Sequence, residues 1–107
     1  YRKVINTTKT IQLVLMSLNP GEEIGMEVHK NVTQFFRIEQ GVCKAEVDNK
    51  KLTLKAGESL TVPPGAKHNV WCPKGSEVCK LYTIYSPPQH KDFTVHKKKS
   101  DDPEFRP

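Results

Sequence analysis

GEEIGMEVHKNVTQFFRIEQG, residues Gly21 to Gly41, is the stretch on which the reading of this chain turns. It sets a carboxylate at Glu27, an imidazole at His29 and a carboxamide at Gln34 among Val28, Val32, Phe36 and Ile38. MEVHK and QFFRIEQG alternate as β-strands do, and residues two apart in a strand share a face. Glu27 therefore points with His29, and Gln34 points with Phe36 and Ile38. If the apolar members of these rows face inward, the polar ones enter an apolar interior with them. An unpaired carboxylate there costs several kcal/mol, and coordination to a divalent cation removes that cost.

Outward from this stretch the pattern continues. TIQLVLMSL (Thr10 to Leu18) precedes it and stops at NPGEE. VCKAEVDNKKLTLKAG follows and reads as a hairpin turning at Asp48-Asn49-Lys50, with Cys43, Ala45 and Val47 alternating against Val42, Lys44, Glu46 and Asp48. SLTVPPG and KHNVWC come next, joined through Pro63-Pro64-Gly65, and VCKLYTIYS is stopped by Pro87-Pro88. Eight or nine short strands with Gly/Pro punctuation and no amphipathic helix predict an all-β sandwich or barrel. No repeat or linker divides it. Residues 1–88 read as one domain, and residues 89–107 as a C-terminal arm or disordered tail.

Composition narrows the function classes. A chain of 107 residues with 36% hydrophobic content has room for one modest core. The net charge of +5 is concentrated in HKKKS (His96 to Ser100), directly before the acidic DDPEF. Such a mixed tail is usually solvated, and basic residues interleaved with aromatics, as nucleic-acid binding requires, are missing. No run reaches the length of a membrane span and nothing resembles a signal peptide, so the expected location is cytoplasmic. Three cysteines, Cys43, Cys72 and Cys79, are an odd number that suits a reducing compartment and free thiols. CPKGSEVC reads as a hairpin across which Cys72 and Cys79 could pair, although two half-buried thiols are the simpler expectation. No C-x-x-C motif offers a zinc ribbon.

The other half of a metal site lies in PPGAKHNVWC. The rigid Pro-Pro-Gly turn fixes where the next strand begins and where His68 projects, with Val70 and Cys72 on its face. Two imidazoles, His29 and His68, one carboxylate, Glu27, and one amide oxygen, Gln34, form a mixed N/O set. That set suits manganese, iron, nickel or zinc with one or two positions open to water or substrate, and it is unlike a closed thiolate zinc site.

The spacings are Gly21-x5-Glu27-x-His29-x4-Gln34-x6-Gly41 and Gly57-x5-Pro63-x-Gly65-x2-His68-x3-Cys72. They resemble the two signature motifs of the cupin superfamily, G-x5-H-x-H-x3–4-E-x6-G and G-x5-P-x-G-x2-H-x3-N. Every spacing matches; Glu27, Gln34 and Cys72 stand where the pattern has His, Glu and Asn. The resemblance implies a double-stranded β-helix, or jelly-roll barrel, commonly dimeric, with the ligand positions on Glu27, His29, Gln34 and His68. The first two exchanges keep one carboxylate in the set, which favours a retained metal.

Cupins of similar size imply isomerase, ring-opening or lyase, or dioxygenase chemistry on a small molecule such as a sugar or sugar acid. Gln34 in the Glu position looks like the arrangement in small cupins that act on unsaturated uronates. A carboxylate committed to a cation is a poor general base, so the acid/base candidates are Tyr82, Tyr85, His90 and, less directly, His96. Alternation puts Tyr82 and Tyr85 on opposite faces, so at most one enters the cavity, which Phe36, Ile38, Val70 and Cys72 are expected to line. Exposed edges in so short a barrel favour a homodimer, with Phe35 and Trp71 as interface residues. A non-enzymatic binding or assembly module with a degenerate or empty site is the alternative.

Overall fold

The computed structural model describes residues 1–88 and 95–96. Its strands are β1 (Arg2–Thr7), β2 (Gln12–Leu18), β3 (Glu27–Val28), β4 (Thr33–Gln40), β5 (Val42–Val47), β6 (Lys50–Lys55), β7 (Ser59–Val62), β8 (Lys67–Trp71), β9 (Cys79–Ser86) and β10 (Val95–His96). They form two antiparallel sheets, one ordered β10-β1-β2-β9-β4-β7 and the other β3-β8-β5-β6. No helix occurs among the described residues, so none is long and apolar enough to cross a membrane. The all-β architecture expected from the alternation, and the jelly roll implied by the resemblance to the cupin motifs, are the ones observed.

Local chemistry explains the joints. Val47 and Lys50 pair across a two-residue turn in which Asp48 (φ 46°) and Asn49 (φ 70°) are both left-handed. That is the primed geometry matching strand twist, and Asp and Asn tolerate it best after glycine. Asp48 also ties the turn to the strand that carries His68: its Oδ1 accepts the Lys67 N–H at 2.9 Å and its own N–H donates to Lys67 O at 2.8 Å. Between β4 and β5, Gly41 has φ +81°, and a Cβ there would lie 2.5 Å from the Val78 carbonyl oxygen. Only glycine fits both demands.

CPKGSEVC is not a hairpin. β8 pairs with β3 and β5, whereas β9 pairs with β2 and β4, so the segment crosses from one sheet to the other. Cys72 and Cys79 therefore do not face each other across a ladder. Cys79 is instead joined by a disulfide to Cys43 of β5, with a Cα separation of 6.0 Å, and Cys72 is the free, buried thiol. The expectation of three free thiols is corrected. The link runs between the two inner faces, where alternation of β5 and β9 brings Cys43 and Cys79 together in the core.

Those inner faces bury Val4, Val14, Met16, Phe36, Ile38, Val62 and Leu81 from the larger sheet against Ala45, Leu54 and Val70 from the smaller. Register makes one end of this sandwich polar. Gln12 pairs with Tyr85, and Tyr85 with Gln34, so three buried polar side chains lie in a row across β2, β9 and β4. β8 and β3 supply the facing residues.

Candidate metal centre

β3 is only two residues long, yet it is held in several ways. Glu27 pairs directly with His68, which puts their side chains on one face. At one end the Gly65 N–H, from the Pro-Pro-Gly turn, donates to His29 O at 2.9 Å. At the other end the Asn69 side chain accepts the Gly25 N–H at 2.9 Å and donates to Glu23 Oε2 at 3.2 Å. Glu27 and His29 are thus carried by a short segment clipped to β8.

One donor atom each from Glu27, His29 and His68 lies within 4.8 Å of the others. Two ligands at about 2.1 Å from a cation sit roughly 3 to 4 Å apart, so a small contraction would close this triangle on an ion. His29 Nε2 is 3.5 Å from Glu27 Oε2, and the His29 and His68 rings are 5.6 Å apart between centroids. Gln34 joins the group through its Oε1, 3.0 Å from His68 Nε2. Gln34 and His68 are almost fully buried, at 1% and 2% exposure; the Glu27 and His29 side chains keep 16% and 9%.

Two observations fit a cation here. Glu27 Oε1 is buried and meets no hydrogen-bond donor among the described residues. The second concerns His68, whose Nδ1 lies 3.2 Å from the Ala66 carbonyl and whose Nε2 faces the Gln34 oxygen. Burial holds this imidazole below its ordinary value of 6.5, outweighing the opposite pull of the Ala66 carbonyl and of Glu27. A neutral imidazole has one N–H, so it cannot donate to both oxygens. With the proton on Nδ1 toward Ala66, the Nε2 lone pair faces the Gln34 oxygen, and a cation would satisfy both. Glu27, His29, His68 and Gln34 would hold it.

Tyr85 is fully buried on the inner face of β9, with its ring 5.9 Å from that of His29 and perpendicular to it. Tyr82 is on the outer face, 6.3 Å from the Phe35 ring. His90 lies outside the described residues. His96 is in β10, paired with Arg2. Of the four residues expected to line the cavity, Phe36 packs 6.0 Å from the His68 ring, and Val70 is one same-face step from His68. Ile38 and Cys72 are two such steps from their ligands, about 13 Å along the strand, and the Cys72 thiol donates to Glu77 O at 3.3 Å.

Sequence reasoning passed over Thr83 and Asn69. Thr83 sits between the two tyrosines, and the alternation that sorted them also points it inward, where it contacts Gln34. Asn69 faces outward, and no periodicity signals that its amide clips the segment before β3.

With this geometry established, comparison with known proteins places the chain. The model of the cupin domain family matches residues 14–85, and the chain belongs to that family. It is 42% identical over 107 residues to the uncharacterized protein YrkC of Bacillus subtilis (strain 168), covering 94% of this chain and 57% of that protein. Protein L612 of Acanthamoeba polyphaga mimivirus is 42% identical over 93 residues, covering 84% of this chain and 58% of that one. The chain thus spans less than two thirds of either relative. Among solved structures, BH2720 from Bacillus halodurans superposes with a TM-score of 0.88 at 35% identity, over 94% of this chain and 80% of that one. KdgF from a Halomonas species superposes at 0.76 with 19% identity, over 82% and 78% of the two chains, and this likeness shows the fold alone.

Proposed function

We propose that this chain is a cupin that binds one divalent cation, manganese, iron, nickel or zinc, and acts on a small polar carbonyl compound such as a sugar or sugar acid. The convergence of Glu27, His29, His68 and Gln34 at the polar end of an apolar sandwich, beside Tyr85, carries this reading. A cation held by these residues would supply Lewis acidity toward a carbonyl or enediolate oxygen. The chain's own part is to position and to exclude water. His68 and Gln34 form the buried wall, Phe36 keeps that wall apolar, and Glu27 and His29 stand on the more open side where a substrate would enter. Tyr85 is the acid/base group favoured by position, because its phenol shares the inner face with the ligands.

Metal content after purification without a His tag or chelator tests this reading. The expected result is close to one equivalent of metal per chain, restored by adding manganese, iron, nickel or zinc when lost. Metal that stays substoichiometric under all four would favour a non-enzymatic binding or assembly module. With the proton on Nε2 instead, His68 would donate to Gln34 Oε1 at 3.0 Å and tie two ligand positions to each other, and that tautomer belongs to the second reading.

A homodimer is part of the same proposal. Phe35 and Trp71 belong to different sheets, so one flat interface does not contain both. The outer face of the six-stranded sheet is the better surface. Leu13, Ile84 and Phe35 lie in register across it, next to Leu15 and Tyr82, and Leu15 is 42% exposed. A monomeric mass in sedimentation at micromolar concentration would remove this element. The cytoplasmic expectation rested partly on free thiols, and the Cys43–Cys79 disulfide withdraws that support.

A further inference from the structure

We propose that Thr83 is a positioning residue that makes the carboxamide at Gln34 usable as a metal ligand by turning its oxygen, rather than its nitrogen, toward the site. The inference rests on the metal-binding reading above. A carboxylate has two equivalent oxygens and either end will ligate. An amide has one ligating end and one donor end, and the two are nearly the same shape. A Gln in a position where the family pattern has Glu therefore needs something to choose its orientation.

The hydrogen bonds around Thr83 make that choice. Its hydroxyl donates its single proton to Phe35 O at 2.8 Å. What remains on Thr83 Oγ1 is accepting capacity only. Gln34 Nε2 lies 3.0 Å from it and donates to it. With the nitrogen held there, Oε1 is directed to His68 Nε2, 3.0 Å away, on the side of the Glu27 and His29 donor atoms. Reversing the amide would set its oxygen against a hydroxyl with no proton to offer and aim an NH2 group at the cation. Thr83 is completely buried and Gln34 is 1% exposed, so solvent is not there to offset either mismatch. Register fixes the partners: Thr83 pairs with Phe36, and Gln34 with Tyr85, in the regular part of the ladder between β4 and β9, before its register shifts between Ile38 and Gln40.

The test is a double-mutant cycle read by isothermal titration with Co(II), whose visible absorption also reports the ligand set. Thr83→Ser keeps the hydroxyl and is expected to bind within about twofold of wild type. Thr83→Val keeps the shape without the hydroxyl and is expected to bind 10- to 100-fold more weakly, the range typical of losing a group that orients a metal ligand. Thr83→Ala carries the same expectation should the valine variant not fold. In the Gln34→Glu background there is no wrong end to present, so Thr83→Val should cost less than about threefold. An equal loss in both backgrounds, or serine as weak as valine, overturns the assignment of Thr83 while leaving the metal site standing. Wild-type protein that binds no Co(II) overturns the metal reading and this inference with it.

Discussion

The four donor side chains come in two unlike pairs. Gln34 and His68 are buried, in direct contact at 3.0 Å, and carried on strands that each pair with two neighbours, β4 and β8. Glu27 and His29 stand on or beside a two-residue strand and keep part of their surface in solvent. The first pair is fixed by the core itself, and changing it disturbs packing as well as binding. The second depends on backbone clips from Gly65 and Asn69, and changing it should disturb binding while sparing the fold. In this site, preorganisation comes from a buried pair that joins the two sheets, Gln34 on β4 and His68 on β8, and access from the short β3 segment at the edge of the smaller sheet.

Removing His68 should break the buried pair most severely. His68→Ala leaves the Ala66 carbonyl without its imidazole donor, removes the ring that the Gln34 oxygen faces and opens space against Phe36. A destabilisation of about 2 to 4 kcal/mol by chemical denaturation is expected, together with loss of measurable metal binding. On the open side, Glu27→Gln removes the set's only carboxylate. Metal affinity should fall at least tenfold, since even outer-shell losses cost about that much, while stability should change by less than about 0.5 kcal/mol. A large stability loss there would erase the contrast between the pairs.

Asn69→Ala tests the clip. It deletes the acceptor of the Gly25 N–H and the donor to Glu23, so a loss of about 1 kcal/mol and a weaker metal site are expected together, by thermal melting and titration. The smallest effect concerns pH in metal-free protein. Burial lowers the His68 value below 6.5, in surroundings that include Glu27, His29 and Asp48. Above that pH the ring is neutral in both folded and unfolded chains and its full contribution is present. As pH falls below 6.5 the unfolded chain takes the proton first, so stability declines until the folded ring also protonates. Denaturation midpoints at pH 7.5 and 5.5 should show this loss in the wild type and less of it in a His68→Gln variant.

How much of this was readable from the residues follows from what alternation encodes. A period of two says which side chains share a face, so Glu27 with His29, Gln34 with Phe36, and Tyr85 against Tyr82 were all legible. The jelly roll was implied by the resemblance of the two motifs to the cupin pattern. Alternation does not say which strands are neighbours. CPKGSEVC looked like a hairpin because its flanks are strands, but they enter different sheets, and the Cys43–Cys79 disulfide is a consequence of that crossing. Nor does it identify side chains that act on other side chains. Thr83 was hidden between two tyrosines because a threonine in a strand is ordinary, and its contact with Gln34 spans 49 positions of sequence.

The central claim is that Glu27, His29, Gln34 and His68 together hold one divalent cation. Isothermal titration of Mn(II) into wild-type protein and into a His29→Ala/His68→Ala double variant tests it most directly. One site per chain in the wild type, absent from a double variant that still folds, is the predicted result. Equal binding by the two proteins would contradict it.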